Sequence, residues 1–207
     1  MDVKINGLPA KDTRRVTFGS LNNFSKVNEP LLKLWAEVLR EVPEAQLVML
    51  CGFGSHRQRT LEFLAHEGVE AGRVEFVGRC SRQEYLELYH RLDIVLDTFP
   101  YNGHTTSLDA LWMGVPVVSL CGEQPVSRAG LSQLSNLGLP ELVAHSEDQY
   151  VEIATGLAND LPRLVELRRT LRPRMESSVL MDAPRFARNI EAAYRAMWRR
   201  WCAETPS

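Results

Sequence analysis

The sequence predicts a doubly wound α/β domain, and three observations carry that prediction. Strand-like and helix-like stretches alternate five or six times with short connections, the signature of a parallel sheet covered by helices on both faces. Some strand candidates, among them Ile94-Val95-Leu96 and Pro116 to Leu120, are apolar runs suited to burial on both faces. The residues with chemistry to offer fall just after strand candidates, on the rim where such sheets bind ligands.

Residues 1–14 read as a polar leader broken by Gly7 and Pro9, and 15–207 as the domain with a helical C-terminal tail. Val16 to Ser20 is the first strand. Asn28 is an N-cap, with Glu29 and Pro30 in the first turn of its helix. Leu31, Leu34, Trp35, Val38 and Leu39 share one face of that helix, and Pro43 closes it. Gln46 to Cys51 is the second strand. A Gly52-Phe53-Gly54 loop and a Ser55 cap then open a helix that buries Leu61, Phe63 and Leu64. Arg73 to Val77 is the third strand. Ser81 caps the next helix, with Glu84 at the capping-box position, and the helix continues to Arg91.

Ile94 to Leu96 is the fourth strand, and Asp97 to Gly103 is a loop punctuated by Pro100 and Asn102-Gly103. A helix follows from Thr105, with Leu108, Leu111 and Trp112 on one face. Pro116 to Leu120 is the fifth strand, Ser127 to Leu137 a helix and Leu142-Val143 a short sixth strand. Only helices remain: one capped by Ser146, one over Leu161 to Leu171 and a long one over Pro184 to Trp201.

At 207 residues the chain has the size of one domain. Lys and Arg number 24 against 26 Asp and Glu, a formal net charge of -2 that gives no global attraction to nucleic acid or an anionic membrane. No apolar run is long enough to span a bilayer, and the N-terminus lacks the apolar centre of a signal peptide, so a cytoplasmic location is expected. Cys51, Cys80, Cys121 and Cys202 form no metal-ligand spacing and read as buried or half-buried free thiols.

His104, Thr105 and Thr106 bring an imidazole, two hydroxyls and free helix N-terminal amides to one place, a candidate diphosphate site. His104 alone is equally a helix cap. Lys26, beside Asn22 and Asn23, suits a mobile point charge for a phosphate or a solvated surface lysine. Asp109 suits ribose hydroxyls or backbone donors. Arg82 and Tyr85 share a helix start where they could stack on a base or hold a ribose, although Tyr85 alone reads as core. Asp97 and Glu123 could pair as carboxylates, but their spacing does not establish it. No P-loop, GxGxxG or Ser-His-Asp pattern is present.

The run NGHTTSLDALWMGVPVVSLCGEQPVSRAGLSQLSNLGLPELVA resembles the catalytic region of the O-linked N-acetylglucosamine transferases. The resemblance extends over FGSLNNFSKVNEPLLKLWAEVLREVPEAQLVML and spans about Arg15 to Trp201. Those enzymes are inverting GT-B glycosyltransferases that transfer from UDP-N-acetylglucosamine to Ser or Thr of proteins. The resemblance implies that Lys26 is catalytic, stabilising the departing UDP. It also implies that His104, Thr105 and Thr106 bind the diphosphate, that Asp109 holds the uridine ribose and that the Cys80 backbone reads the uracil edge. Asn23 stands for a glutamine of the animal enzymes, Arg82 for a lysine near the ribose and Tyr85 for a histidine that stacks on uracil.

Only the C-terminal, nucleotide-binding, Rossmann-like half of the GT-B unit is represented. The N-terminal half and the tetratricopeptide repeats that deliver protein acceptors have no counterpart in the 207 residues. The expected behaviour is therefore UDP binding with little or no transfer, without a metal or other cofactor. Two alternatives stand beside this reading: a related transferase using another UDP-hexose or an Asn acceptor, and a non-catalytic UDP-binding module.

Overall fold

A computed structural model describes residues 3–204; the outer ends of the predicted leader and tail, 1–2 and 205–207, lie outside the described residues. The elements in chain order are α1 (Pro9–Thr13), β1 (Thr17–Ser20), α2 (Glu29–Glu41), β2 (Gln46–Leu50) and α3 (Ser55–His66). Next come β3 (Val74–Val77), α4 (Arg82–Leu88), β4 (Ile94–Leu96), α5 (Thr105–Trp112) and β5 (Val117–Leu120). The chain continues through α6 (Ala129–Asn136), β6 (Val143–Ala144), α7 (Glu147–Ala158), α8 (Leu161–Glu176) and α9 (Ala183–Glu204).

The strands form one six-stranded sheet in the order β3-β2-β1-β4-β5-β6, with every neighbouring pair parallel. Helices flank it, as the alternation predicts. The registers Phe18↔Leu47 and Phe18↔Ile94 place Phe18 between two apolar neighbours, and β4 and β5 are buried throughout. The stripe on α2 becomes the centre of the core, where Trp35, Val38 and Leu39 are fully enclosed. Burying a side chain of this size stabilises by roughly 1.5–3 kcal/mol. Trp35 Nε1 donates to Tyr150 Oη of α7 at 3.2 Å, so even this apolar centre has a polar thread.

Local signals were obeyed where they rest on a side-chain cap. Asn28 Oδ1 accepts from Leu31 N at 3.0 Å, and Ser81 and Glu84 form the full capping box. Ser55 is not a cap: it is the first residue of α3, and Gly54 holds the cap position without a side chain. Leu64 of α3 is buried, but Leu61 and Phe63 are only half-buried. The helix expected from Ser127 starts at Ala129 because Pro125–Ser127 form a separate 3-10 turn, and Pro140–Leu142 form another that moves β6 to Val143–Ala144. All four thiols are free, yet Cys80 and Cys202 are exposed rather than buried, since each lies outside the sheet.

The segment read as a polar leader contains α1 and buries Val3, Leu8 and Ala10. Two buried charges on the body hold it. Asp93 accepts from Ala10 N at 2.9 Å and from Thr17 N at 2.8 Å. Arg168 of α8 donates to the Leu92 carbonyl at 2.7 Å, the Tyr89 carbonyl at 3.0 Å and both oxygens of Asn6. Burial lowers the Arg168 guanidinium to about 10, opposed by Asp93. At the other end, α9 turns Phe186, Tyr194, Met197, Trp198 and Trp201 outward as an exposed apolar stripe. Among the described residues no helix is long and apolar enough to cross a membrane.

Replacing Arg168 with Met removes the donors from several buried carbonyls at once. Urea unfolding of Arg168→Met should show a loss of about 3 kcal/mol, since each stranded buried acceptor costs about 1–3 kcal/mol.

Candidate functional site

Strand order reverses between β1 and β4, so the loops leaving their carboxyl ends diverge and open a crevice. Two adjoining cavities of about 560 and 460 Å³ lie along this edge and share Leu50, Arg79, Tyr85 and Thr106. Asn23, Phe24 and His56 line the first; Cys80, Arg82, Thr105 and Asp109 line the second. The β1, β3 and β4 loops singled out in the sequence therefore meet around one continuous groove.

The β4 loop is built on a buried carboxylate. Asp97 Oδ1 accepts from Thr98 N at 2.9 Å and Gly103 N at 2.6 Å, and Oδ2 accepts from Ser119 Oγ at 2.7 Å. Burial raises the Asp97 carboxyl to about 6, against the hydrogen bonds from Ser119, Gly103 and Thr98 and the charge of Lys26. The fit admits no side chain at two positions. A Cβ on Gly103 would lie 2.1 Å from Ser107 Oγ and 2.9 Å from Asp97 Oδ1, and one on Gly130 would lie 2.0 Å from Ser119 Oγ. Asn102 closes the loop by donating to the Thr98 and Leu120 carbonyls at 2.9 and 3.2 Å.

The loop delivers the chain into α5 with His104 at the N-cap, where its side chain makes no capping bond. His104 and Thr105 are exposed and Thr106 is half-buried, so the imidazole and hydroxyls flank the helix amino end. The first-turn amides of a helix have no intrahelical acceptor, which makes this end an anion site in waiting. Gln133 Nε2 of α6 donates to the His104 carbonyl at 3.2 Å and steadies the turn.

Lys26 reaches across from the β1 loop. Its Nζ donates to the Asn102 carbonyl at 2.9 Å and lies 4.3 Å from the centre of the Tyr101 ring. Burial lowers the ammonium from its ordinary value, opposed by the Asp97 charge. Asn22 Oδ1 accepts from Thr106 Oγ1 at 2.6 Å and ties the β1 loop to α5. Asn23 is exposed on the groove, and its Oδ1 accepts from Ser25 N at 3.2 Å to form the turn that carries Lys26.

At the far end of the groove, Arg82 makes a bidentate pair with Asp109, at 2.7 and 2.6 Å. Its guanidinium also lies 5.2 Å from the centre of the Tyr85 ring. Tyr89 Oη donates to the Thr106 carbonyl at 3.0 Å, so its partner Tyr85, at 2.7 Å, must donate to it. Burial raises both phenols well above their ordinary value, which keeps this chain of donors protonated. Tyr85 thus serves the core and the groove together: its hydroxyl supports Tyr89, which braces α5, and the residue lines both cavities. Cys80 lies exposed on the same wall.

Every residue predicted for the site lies on this rim, and all except Lys26 and His104 directly line the two cavities. Sequence reasoning gave no role to His56, which follows the β2 loop, or to Arg79, which lines both cavities just after β3. Among the described residues, no group of three or more His, Cys, Asp or Glu side chains could hold a metal ion.

Residues 4–190 match the glycosyl transferase family 41 profile. This chain belongs to that family. The probable UDP-N-acetylglucosamine–peptide N-acetylglucosaminyltransferase SPINDLY of Petunia hybrida is 42% identical over 98% of this chain and 22% of its own length. The UDP-N-acetylglucosamine–peptide N-acetylglucosaminyltransferase of Caenorhabditis elegans is 31% identical over 92% of this chain and 17% of its own. A variant of the Thermobaculum terrenum O-GlcNAc transferase superposes with a TM-score of 0.84 at 39% identity, covering 91% of this chain and 37% of that one. The C-terminal domain of a group 1 glycosyl transferase from Francisella tularensis shares the fold alone, with a TM-score of 0.60 at 14% identity. The architecture is that of one half of a GT-B glycosyltransferase. This family 41 chain spans about a fifth of the length of the curated SPINDLY relatives it matches.

Two outcomes follow for this family 41 site. Gly103→Ala drives a carbon into Ser107 and Asp97, so its thermal unfolding should reveal a loss of about 1–3 kcal/mol. Gly78→Ala, where no atom lies within 4 Å of the added carbon, is the unaffected control. The second concerns pH. Asp97 has a raised folded pKa, so the folded state holds its proton more tightly and stability falls as pH rises from about 4 to about 6. Denaturation across that window should show a loss of about 3 kcal/mol in the parent chain relative to Asp97→Asn, in which the titrating group is gone.

Proposed function

We propose that this chain is the donor-binding half of a protein O-GlcNAc transferase-like enzyme, holding UDP-N-acetylglucosamine and stabilising UDP as it departs. The observation that carries this reading is a groove lined by Asn23, Thr105, Thr106 and the Arg82–Asp109 wall, with Lys26 and His104 beside it on the same rim, in a family 41 chain. The diphosphate lies at the amino end of α5, within reach of the His104, Thr105 and Thr106 donors. The uridine lies toward Cys80, Tyr85 and Asp109: the Cys80 backbone meets the uracil edge, Tyr85 offers its ring and the ribose hydroxyls compete with Arg82 for Asp109. Asn23 approaches from the opposite loop.

In an inverting transfer, the bond from the sugar to the diphosphate breaks as the acceptor oxygen attacks from the other face. Charge then accumulates on the departing UDP, where oriented donors act most strongly. Lys26 and the α5 amides meet that charge, with no metal required. An ammonium has three N–H donors; the Asn102 carbonyl takes one and Asn22 Oδ1, at 3.5 Å, a second, which leaves one for a phosphate.

Positioning the acceptor, a Ser or Thr of another protein, belongs to parts of the enzyme outside this chain, tetratricopeptide repeats among them. Transfer depends on bringing both substrates into one geometry, so the isolated chain binds UDP without appreciable turnover. A cytoplasmic setting is part of the same reading, supported by four unpaired thiols.

Calorimetric titration of the purified chain with UDP, UMP and ADP tests the proposal. UDP should bind ahead of the other two, and Lys26→Ala should weaken it by about 10- to 100-fold, the worth of one charge-assisted hydrogen bond. A folded chain indifferent to UDP would overturn the reading.

A further inference from the structure

Asp97 has no role in the donor contacts above, yet it stands directly behind them. It is fully enclosed at the carboxyl end of β4 and accepts two amide and two hydroxyl hydrogen bonds, the weakest from Ser107 Oγ at 3.5 Å. Gly103, whose amide it holds at 2.6 Å, immediately precedes His104. The point that a Cβ on Gly103 would occupy is 2.9 Å from Asp97 Oδ1 and 2.8 Å from Thr106 Oγ1, so carboxylate and hydroxyl crowd the same spot. The charged and titratable groups facing it are Lys26 from the β1 loop and Tyr150 from α7, whose hydroxyl donates to the Asp97 carbonyl at 3.3 Å. From α5, β5 and α6 it faces Ser107, Ser119 and Gly130, none of which brings charge.

We propose that Asp97 is a positioning residue of the diphosphate site: as a hydrogen-bond acceptor it anchors the Gly103 amide and thereby sets the amino end of α5 where the diphosphate docks. The inference rests on the donor-site reading above. What the geometry uses is the acceptor, not the charge. An asparagine can keep its carbonyl oxygen toward Gly103 and Thr98 and turn its amide toward the Ser119 oxygen. A negative charge behind a phosphate site is a liability, since it repels the incoming diphosphate across a poorly screening interior. Proton binding by Asp97 and diphosphate binding therefore favour one another.

The test is UDP titration of the 207-residue chain and two variants between pH 5 and 8, each first checked for folding by circular dichroism and thermal unfolding. Asp97→Ala, with no acceptor, should bind UDP at least tenfold more weakly. Asp97→Asn should restore affinity to within about threefold of the parent at pH 5. The ratio of parent to Asn-variant dissociation constants cancels the ligand's own titration. It should rise with pH through about 6, where the parent carboxyl becomes charged.

Ser119→Ala supplies a decision should the Ala variant fail to fold. Loss of a hydrogen bond to the charged form raises a carboxyl pKa, so the midpoint of that ratio should move upward. A folded Ala variant that binds like the parent, an Asn variant that fails to rescue, or an unmoved Ser119→Ala midpoint would overturn the inference. A parent chain that ignores UDP at every pH overturns the donor reading and this inference with it. Normal parent binding with an indifferent Asp97 removes this inference alone.

Discussion

Six strands run parallel, so each connection must cross the sheet and every carboxyl end opens on the same edge. Helix amino ends consequently gather there, and the reversal of order between β1 and β4 leaves a gap that no helix fills. The remaining features of the site depend on this constraint. Loops that are distant in the chain become neighbours: Asn22 bonds Thr106 across 84 residues, and Lys26 bonds Asn102 across 76. A loop at such an edge carries backbone groups that neither sheet nor helix satisfies. Asp97 and Asn102 satisfy them from inside, and Asn22 takes only the Thr106 hydroxyl, so the first-turn amides of α5 are not used up by these side chains.

The alternating pattern made the fold legible because a buried parallel sheet needs apolar strands and amphipathic helices at separate periods. Caps were legible where a side chain does the capping, as at Asn28 and Ser81. Ser55 misled because a serine at the first helical position and one at the cap look alike in sequence. The leader misled for a different reason. Its buried residues are few and scattered, and the groups that hold it, Asp93 and Arg168, lie 83 and 162 residues from their partners. No local window contains that information.

The site residues were legible as a set of loops but not as a set of contacts. His104, Thr105 and Thr106 announce themselves by adjacency to a helix start. The pairing of Arg82 with Asp109 does not, since 27 residues and a strand separate them. Asp97 was visible only as a possible member of a carboxylate pair with Glu123. The structure instead surrounds it with donors and leaves Glu123 exposed.

The side-chain charges around the groove are largely paired. Lys26 is balanced by Asp97 behind it, and Arg82 by Asp109 beside it. The second pair is half open to solvent on the arginine side, whereas its aspartate is buried and held by two parallel hydrogen bonds. On the proposed reading a ribose diol exchanges for Arg82 at Asp109, and the displaced guanidinium still has the Tyr85 ring to rest on. Beside these two pairs, Arg79 on the groove wall and the amino end of α5 bring further positive charge. Amides cannot titrate, and they are fixed to the helix that carries them. On the donor-site reading proposed above, preset dipoles hold the diphosphate and the mobile charges tune it.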